Sequence, residues 1–190
     1  MPRPLGKTRE RMLDVAEGLF RRRGYHGVAV EEVTSALGMK KPNLYNHFRD
    51  KAELYVAVRQ RCLRRLEADM RRAASVPGPF AERLFAVVAV LLRHPAFLNS
   101  VRLREDEDFL PPETRDFLFA QSFGGVFQPV NDLLRAGAAS GELRAPEDGV
   151  AFVHDALIAL AEGLALEAGA IPEAAARIVA LFTQPAAPAE

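Results

Sequence analysis

Cysteine is nearly missing from this chain: Cys62 stands alone among 190 residues. A single thiol closes no disulfide within the chain, and no cysteine-based metal framework can be drawn. Its place inside a helical pattern reads as a core thiol rather than a redox sensor. Long apolar runs are missing too. The longest, Leu84 to Leu92, has nine residues, far short of the ~20 that span a bilayer. The start, Met1-Pro2-Arg3-Pro4, lacks the apolar stretch of a signal peptide, so the expectation is a cytoplasmic chain that meets no membrane. Alternating polar and β-branched residues, the mark of a half-buried strand, are not found. There is no Gly-rich phosphate loop, no metal-ligand cluster and no nucleophile motif. Asp106 and Asp108 are loop acids without evident partners. These absences argue against an enzyme and imply neither a cofactor nor a metal.

Net charge is also missing, with 25 basic and 25 acidic side chains, but the balance hides a division. Residues 1–75 carry 17 Lys/Arg against 9 Asp/Glu, a net +8, and residues 76–190 carry 8 against 16, a net −8. A positive module attracts polyanions, because neutralised phosphates release condensed counterions. A negative module is kept off the same polyanion.

What is present is helical periodicity, punctuated by proline and glycine. The spacing predicts a first helix over Thr8–Arg23, with Met12, Leu13, Ala16, Leu19 and Phe20 on one face and Gly24 as its stop. A second covers Val30–Leu37, ended by Gly38. A third covers Lys41–His47, with Pro42 in its first turn. A fourth starts at Asp50, with Glu53 completing a capping box, and runs to Ala74 along the stripe Leu54, Val58, Cys62, Leu66, Met70. A fifth spans Phe80–Arg93 and a sixth Ala96–Arg104. The seventh runs from Glu113 to Ser140, kinked at Pro129 and stopped by Gly141. The eighth opens at Pro146 and runs to Ala168. The ninth opens at Pro172 and runs to Phe182. The tail from Gln184 is rich in Ala and Pro. The fold class is therefore all-α, with about nine helices. An N-terminal three-helix helix-turn-helix domain (residues 1–50) precedes a larger helical ligand-binding and dimerisation domain (residues 51–190).

Residues 30–48 carry the sharpest signal. Val33, Leu37, Met39, Leu44 and Phe48 supply an apolar interior to two short helices joined at Gly38. The second of these turns Lys41, Asn43, Tyr45, Asn46 and His47 outward. A helix fits the major groove, where base edges show a unique donor and acceptor pattern. Asn pairs two-pronged with adenine, Lys donates to guanine, and a tyrosine hydroxyl reaches phosphate. This is a helix-turn-helix arrangement. The alternative is a basic packing unit with solvated charges.

The run Gly24-Tyr25, Val30-Glu31-Glu32-Val33, Gly38, Leu44-Tyr45-Asn46-His47-Phe48, then Lys51 and Leu54, resembles the N-terminal domain of the TetR family of regulators. The resemblance covers residues 7–54, about a quarter of the chain. It implies that Lys41–His47 is the recognition helix, that Tyr45 and His47 sit against the DNA backbone, and that Lys51 meets a phosphate. The expected DNA-facing set is Lys40, Lys41, Pro42, Asn43, Tyr45, Asn46, His47 and Lys51. Phe48 would hold the helix from behind. The sequence departs from the family pattern at Val28 and Ala29, where Ser or Thr usually caps the second helix, and at Thr34, Lys40 and Pro42.

The C-terminal part carries two further expectations. Phe85, Phe97, Phe117, Phe123 and Phe127, with Arg102, are candidates to line an effector cavity. Gly124-Gly125 implies a close helix approach or a bend. The eighth helix is apolar on more than one face and needs burial on more than one side. Phe152, Ala156, Leu160, Gly163 and Leu164 are its candidate dimer residues. The resemblance implies a four-helix bundle across a two-fold homodimer. The expected function is a ligand-responsive repressor, bound as a homodimer to a near-palindromic operator in double-stranded DNA and released by a small, partly apolar effector. The alternatives are a nonspecific DNA-binding protein and a ligand-binding protein without regulated DNA release.

Overall fold

A computed structural model of the chain describes residues 5–94, 107–145, 147–164 and 166–183. Its α-helices are α1 (Leu5–Arg23), α2 (Val30–Ala36), α3 (Lys41–Tyr45), α4 (Lys51–Ala74), α5 (Phe80–Arg93), α6 (Pro112–Ser122), α7 (Gln128–Ala139), α8 (Val150–Gly163) and α9 (Ile171–Phe182). Among the described residues there is no β-strand, only an isolated bridge between Leu143 and Thr183. The all-α class is borne out. The expected sixth helix, Ala96–Arg104, lies outside the described residues, as do Pro146 and the tail from Gln184.

Two compact units emerge: residues 1–62 with 101–118, and residues 63–100 with 119–190. In the first, α1 buries Met12, Leu13, Ala16 and Phe20, and α2 buries Val30 and Val33. Leu44 of α3, Phe48, and Leu54, Tyr55 and Val58 of α4 complete that core. Gly24 (φ 69°) and Gly38 (φ 64°) turn the chain left-handed after α1 and α2, which side chains rarely tolerate. One buried guanidinium locks α4 to α1. Arg61 donates through Nη1 to Asp14 (2.8 Å) and Glu10 (3.2 Å), and through Nη2 to Glu17 (2.5 Å).

Beside it, Cys62 is 3% exposed. Burial, reinforced by the nearby Glu17 carboxylate, pushes its thiol pKa up to about 12. Near pH 8 the folded chain therefore holds on the order of a thousandfold less thiolate than an ordinary cysteine. A disulfide-forming chromogenic reagent is expected to leave the native thiol intact and to titrate one thiol in full once the chain is unfolded. Rapid native labelling would contradict this burial.

The second unit is built around α5, whose Leu84, Val87, Val88, Leu91 and Leu92 are all nearly inaccessible. Its apolar run is buried on several sides because α9, α8 and α7 all pack on it. Pro79 precedes α5, and the helix occupies the span its periodicity predicts. Gly137 of α7 sits directly against the ring of Phe80.

Several boundaries differ from expectation for identifiable reasons. The α2 and α3 helices each end early, at Ala36 and Tyr45. After α3 the Asn46, His47 and Phe48 amides still bond back to Pro42 and Leu44. At α4 the capping box is displaced by one residue. Asp50 Oδ1 accepts the Glu53 N–H (2.7 Å), but the Glu53 carboxylate reaches back to the Arg49 N–H (2.6 Å). The expected seventh helix is divided by a π-turn over Phe123–Phe127, where the Gln128 N–H bonds the Phe123 carbonyl five residues back. A π-turn inserts one extra residue into the helix. It absorbs the disturbance expected at Pro129, and Gly125 lies where a Cβ would press on Glu67 of α4. The eighth helix stops at Gly163 rather than Ala168, because Leu164 turns to extended backbone.

Candidate nucleic-acid interface

The α2–turn–α3 segment is fixed by few residues. Val30 and Val33 seat α2 inward. Thr34 is buried, and its hydroxyl donates to the Glu31 carbonyl (3.0 Å). Its own carbonyl takes the Met39 N–H (2.8 Å), which closes the turn at Gly38. Where a hydroxyl cap was missing from the sequence, Ala29 occupies the N-cap position, and the Glu32 carboxylate accepts the Ala29 N–H at 2.8 Å. Half of a capping box survives, supplied from inside the helix.

Leu44 is 0% exposed and Phe48 1%, so α3 is held from behind as expected. Arg9 lies over the Phe48 ring at 4.9 Å. Outward stand Lys41, Pro42, Asn43, Tyr45 and Asn46, all exposed, with Lys40 exposed at the N-cap and His47 half-buried at the far end. Tyr45 is an exposed aromatic at 43%, beneath the Lys41 ammonium (5.9 Å). Lys41 is paired with Glu31 at 2.5 Å. That hydrogen bond holds the Glu31 carboxyl below the usual carboxylate range and raises Lys41. Arg23 is similarly paired with Glu32 (2.7 Å). An exposed pair is worth little, so neither carboxylate holds its cation strongly.

The Lys51 ammonium sits 4.1 Å from the centre of the Tyr25 ring, and partial burial lowers its pKa. The amino end of α4 is already met by the Asp50 and Glu53 carboxylates. Beside these carboxylates, the Lys51 ammonium is a cationic group at the start of α4. Tyr25 belongs to an aromatic group that sequence reasoning missed. Phe20, Tyr55 and Phe109 surround it, and Phe109 stacks on it with ring centres 3.4 Å apart and planes within 7°. Nothing in the sequence signalled that Phe109 would join residues so far upstream.

Comparison with known proteins fits this geometry. Residues 12–58 match the family described as bacterial regulatory proteins, tetR family. The HTH-type transcriptional activator FasR of Mycolicibacterium smegmatis is 38% identical over 85 residues, which is 45% of this chain and 39% of FasR. The match thus spans well under half of that relative. Among solved structures, the TetR family transcriptional regulator PfmR from Thermus thermophilus superposes with a TM-score of 0.75 at 24% identity, covering 91% of this chain and 94% of that one. The structure of AibR in complex with isovaleryl coenzyme A and operator DNA gives 0.74 at 18%, covering 93% and 98%.

Residues 12–58 carry the N-terminal domain of the tetR family.

Beyond that TetR-type domain, the residues expected to line an effector cavity do not share one environment. Phe85 and Phe127 are half-buried against the core of the second unit. Phe127 meets the His154 ring edge-on at 5.6 Å. Phe117 and Phe123 are about half exposed, and Phe123 stacks on the exposed Phe119. Phe97 and Arg102 lie outside the described residues. The α8 candidates divide more cleanly. Val153, Leu157 and Ala161 face the core, and Phe152 is 75% exposed. Ala156, Leu160 and Leu164 are half-buried and Gly163 is exposed. Among the described residues, no cluster of three or more His, Cys, Asp or Glu side chains is arranged to hold a metal ion. No helix of these residues is long and apolar enough to cross a membrane.

Proposed function

We propose that this protein is a DNA-binding transcriptional regulator, a homodimer that docks two copies of α3 in successive major grooves of a near-palindromic operator and is released by a small molecule bound in its second unit. The observation that carries the reading is the short α3 itself. Its inner residues, Leu44 and Phe48, are locked, and its outer residues Lys41, Asn43, Tyr45 and Asn46 are polar and exposed. A helix with that division presents base-reading groups at low conformational cost. Lys40, Pro42 and His47 flank the reading surface, and Lys51 supplies a phosphate contact beside it.

An acyl thioester is the effector class favoured by analogy, because AibR was solved with isovaleryl coenzyme A. Phe85 and Phe127 are the apolar candidates, and His154 beside Phe127 is the polar one. Repression follows if the operator overlaps the promoter. The name of FasR favours activation as the second reading, and a transcription assay with purified polymerase separates the two.

The test is a gel-shift titration of the chain's own upstream region against random DNA. Wild type is expected to prefer the upstream fragment. Asn43→Ala should weaken that preference roughly five- to a hundredfold, as one lost bidentate base contact costs ~1–3 kcal/mol. Lys51→Ala should weaken all sequences alike and lower the slope of log affinity against log salt by about one. Equal affinity for random DNA would leave only a nonspecific binder. Unchanged affinity in both variants would remove α3 and Lys51 from the interface. Native mass spectrometry of the purified dimer identifies a co-purified effector.

A further inference from the structure

Residues 107–110 come from far along the chain, yet they are built into the DNA-binding unit. Four residues make three separate anchors. The Glu107 carboxylate accepts from Arg59 Nε at 3.0 Å, with both side chains largely buried. Leu110 is 4% exposed, and its N–H closes a turn onto the Glu107 carbonyl (2.9 Å). Phe109 stacks on Tyr25, and Tyr55 and His26 pack edge-on to it at 5.6 and 5.9 Å. A ring has two faces. With Phe109 covering one face of Tyr25 at 3.4 Å, the Lys51 ammonium at 4.1 Å takes the other.

We propose that residues 107–110 form a strap that positions the phosphate-gripping lysine: Phe109 buttresses Tyr25, Glu107 pins the strap to Arg59, and Tyr25 then holds Lys51 in place. The proposal rests on the DNA-binding reading for the role of Lys51, but the strap itself is independent of it. A long, flexible lysine normally loses rotamer freedom when it meets a phosphate. Seated on a ring that cannot tilt, Lys51 has already lost it, so the contact forms at lower cost. Without Phe109, Tyr25 has an empty face and the platform moves. The positioning residues are thus Phe109 and Tyr25, neither of which needs to touch DNA.

Two measurements test this. The chain has only three tyrosines, so 3-fluorotyrosine labelling gives three ¹⁹F resonances, assigned through Tyr→Phe variants. Stacking displaces the Tyr25 resonance by ring current, and Phe109→Leu should move it toward the position of an exposed tyrosine. Phe109→Leu should also weaken operator binding by about two- to tenfold, the scale of one aromatic pair. It should lower the salt slope toward that of Lys51→Ala, a change that general destabilisation would not produce. Phe109→Tyr keeps a stacked ring and adds a fourth ¹⁹F resonance, and it should leave the Tyr25 resonance, the DNA affinity and the salt slope near their wild-type values. Leucine keeps the apolar volume, and circular dichroism verifies that the variant is folded. If Phe109→Ala is also folded, it should exaggerate both effects. A Tyr25 resonance unmoved by Phe109→Leu overturns the strap. A moved resonance with unchanged or tighter DNA binding overturns its role in positioning Lys51. If the wild type binds no upstream fragment, the DNA-binding reading fails, and the ¹⁹F spectrum alone decides whether the strap exists.

Discussion

Phe152→Asp is expected to convert the proposed homodimer to a monomer and to weaken operator binding by about 10²–10⁴-fold, the gain that linking two binding modules provides. The expectation comes from the two faces of α8. Val153, Leu157 and Ala161 point into the second unit, which accounts for one apolar face. The other bears Phe152 at 75% exposure and the exposed Ala159 and Gly163, with Ala156 half-buried between them. Positions 152, 156, 159 and 163 recur at helical spacing, so they form one stripe. On α9, Leu181 is likewise 63% exposed. A contiguous apolar surface of this kind marks an association site. In the proposed homodimer, two-fold symmetry would bring each Phe152 against the same surface of the partner, so one substitution would place two carboxylates in the interface. Sedimentation velocity measures the loss of dimer, and a gel shift measures the loss of affinity. A Phe152→Asp chain that remains dimeric would place the interface elsewhere. A monomer that binds as tightly as the dimer would show that the half-sites are read independently.

Gly137→Val is expected to lower the melting temperature by roughly 5–10 °C, on the scale of ~2–4 °C per kcal/mol for a chain of this size. Two effects oppose each other. Replacing a mid-helix glycine with alanine normally gains ~1 kcal/mol, and valine gains less. Here the three atoms nearest a Cβ on Gly137 are all carbons of the Phe80 ring, and all are closer than van der Waals contact permits. Phe80 is itself buried, at 4% exposure, and has nowhere to swing. Overpacking of a core costs about 1–3 kcal/mol and occasionally more, and the branched valine carries two further methyls, so the steric term wins. Gly124→Ala provides the contrast, because a Cβ there meets nothing within 4 Å. That variant is expected to be as stable as wild type or up to ~1 kcal/mol more stable. Calorimetry of both variants checks the pair. Equal melting temperatures would mean that Phe80 yields without cost.

Much of this architecture is legible in the sequence. The α5 helix fell on Phe80–Arg93 as its apolar run and flanking prolines predict. Gly24, Gly38 and Gly141 stand where the periodicity stops, and all three have positive φ. The outward set on α3 was legible because Leu44 and Phe48 fix which side faces the core. Misreadings arose where two local signals competed. Pro129 signalled a kink, and the chain resolved it as a π-turn several residues earlier, where Gly124 and Gly125 make the widening inexpensive. At α4, Asp50 and Glu53 were both identified as capping residues, but Glu53 reached Arg49 instead of Asp50. A side chain takes whichever donor the backbone presents.

The sequence by itself determined the helical class, the helix-turn-helix and the residues it turns outward, because helical periodicity and glycine stops act over a few residues and are written locally. Only the tertiary structure decided that Glu107 and Phe109 join the N-terminal unit, that Arg61 gathers three carboxylates of α1, and that Gly137 exists to admit Phe80. Those contacts join residues more than forty positions apart. No local pattern encodes such a meeting, because it depends on how whole helices pack.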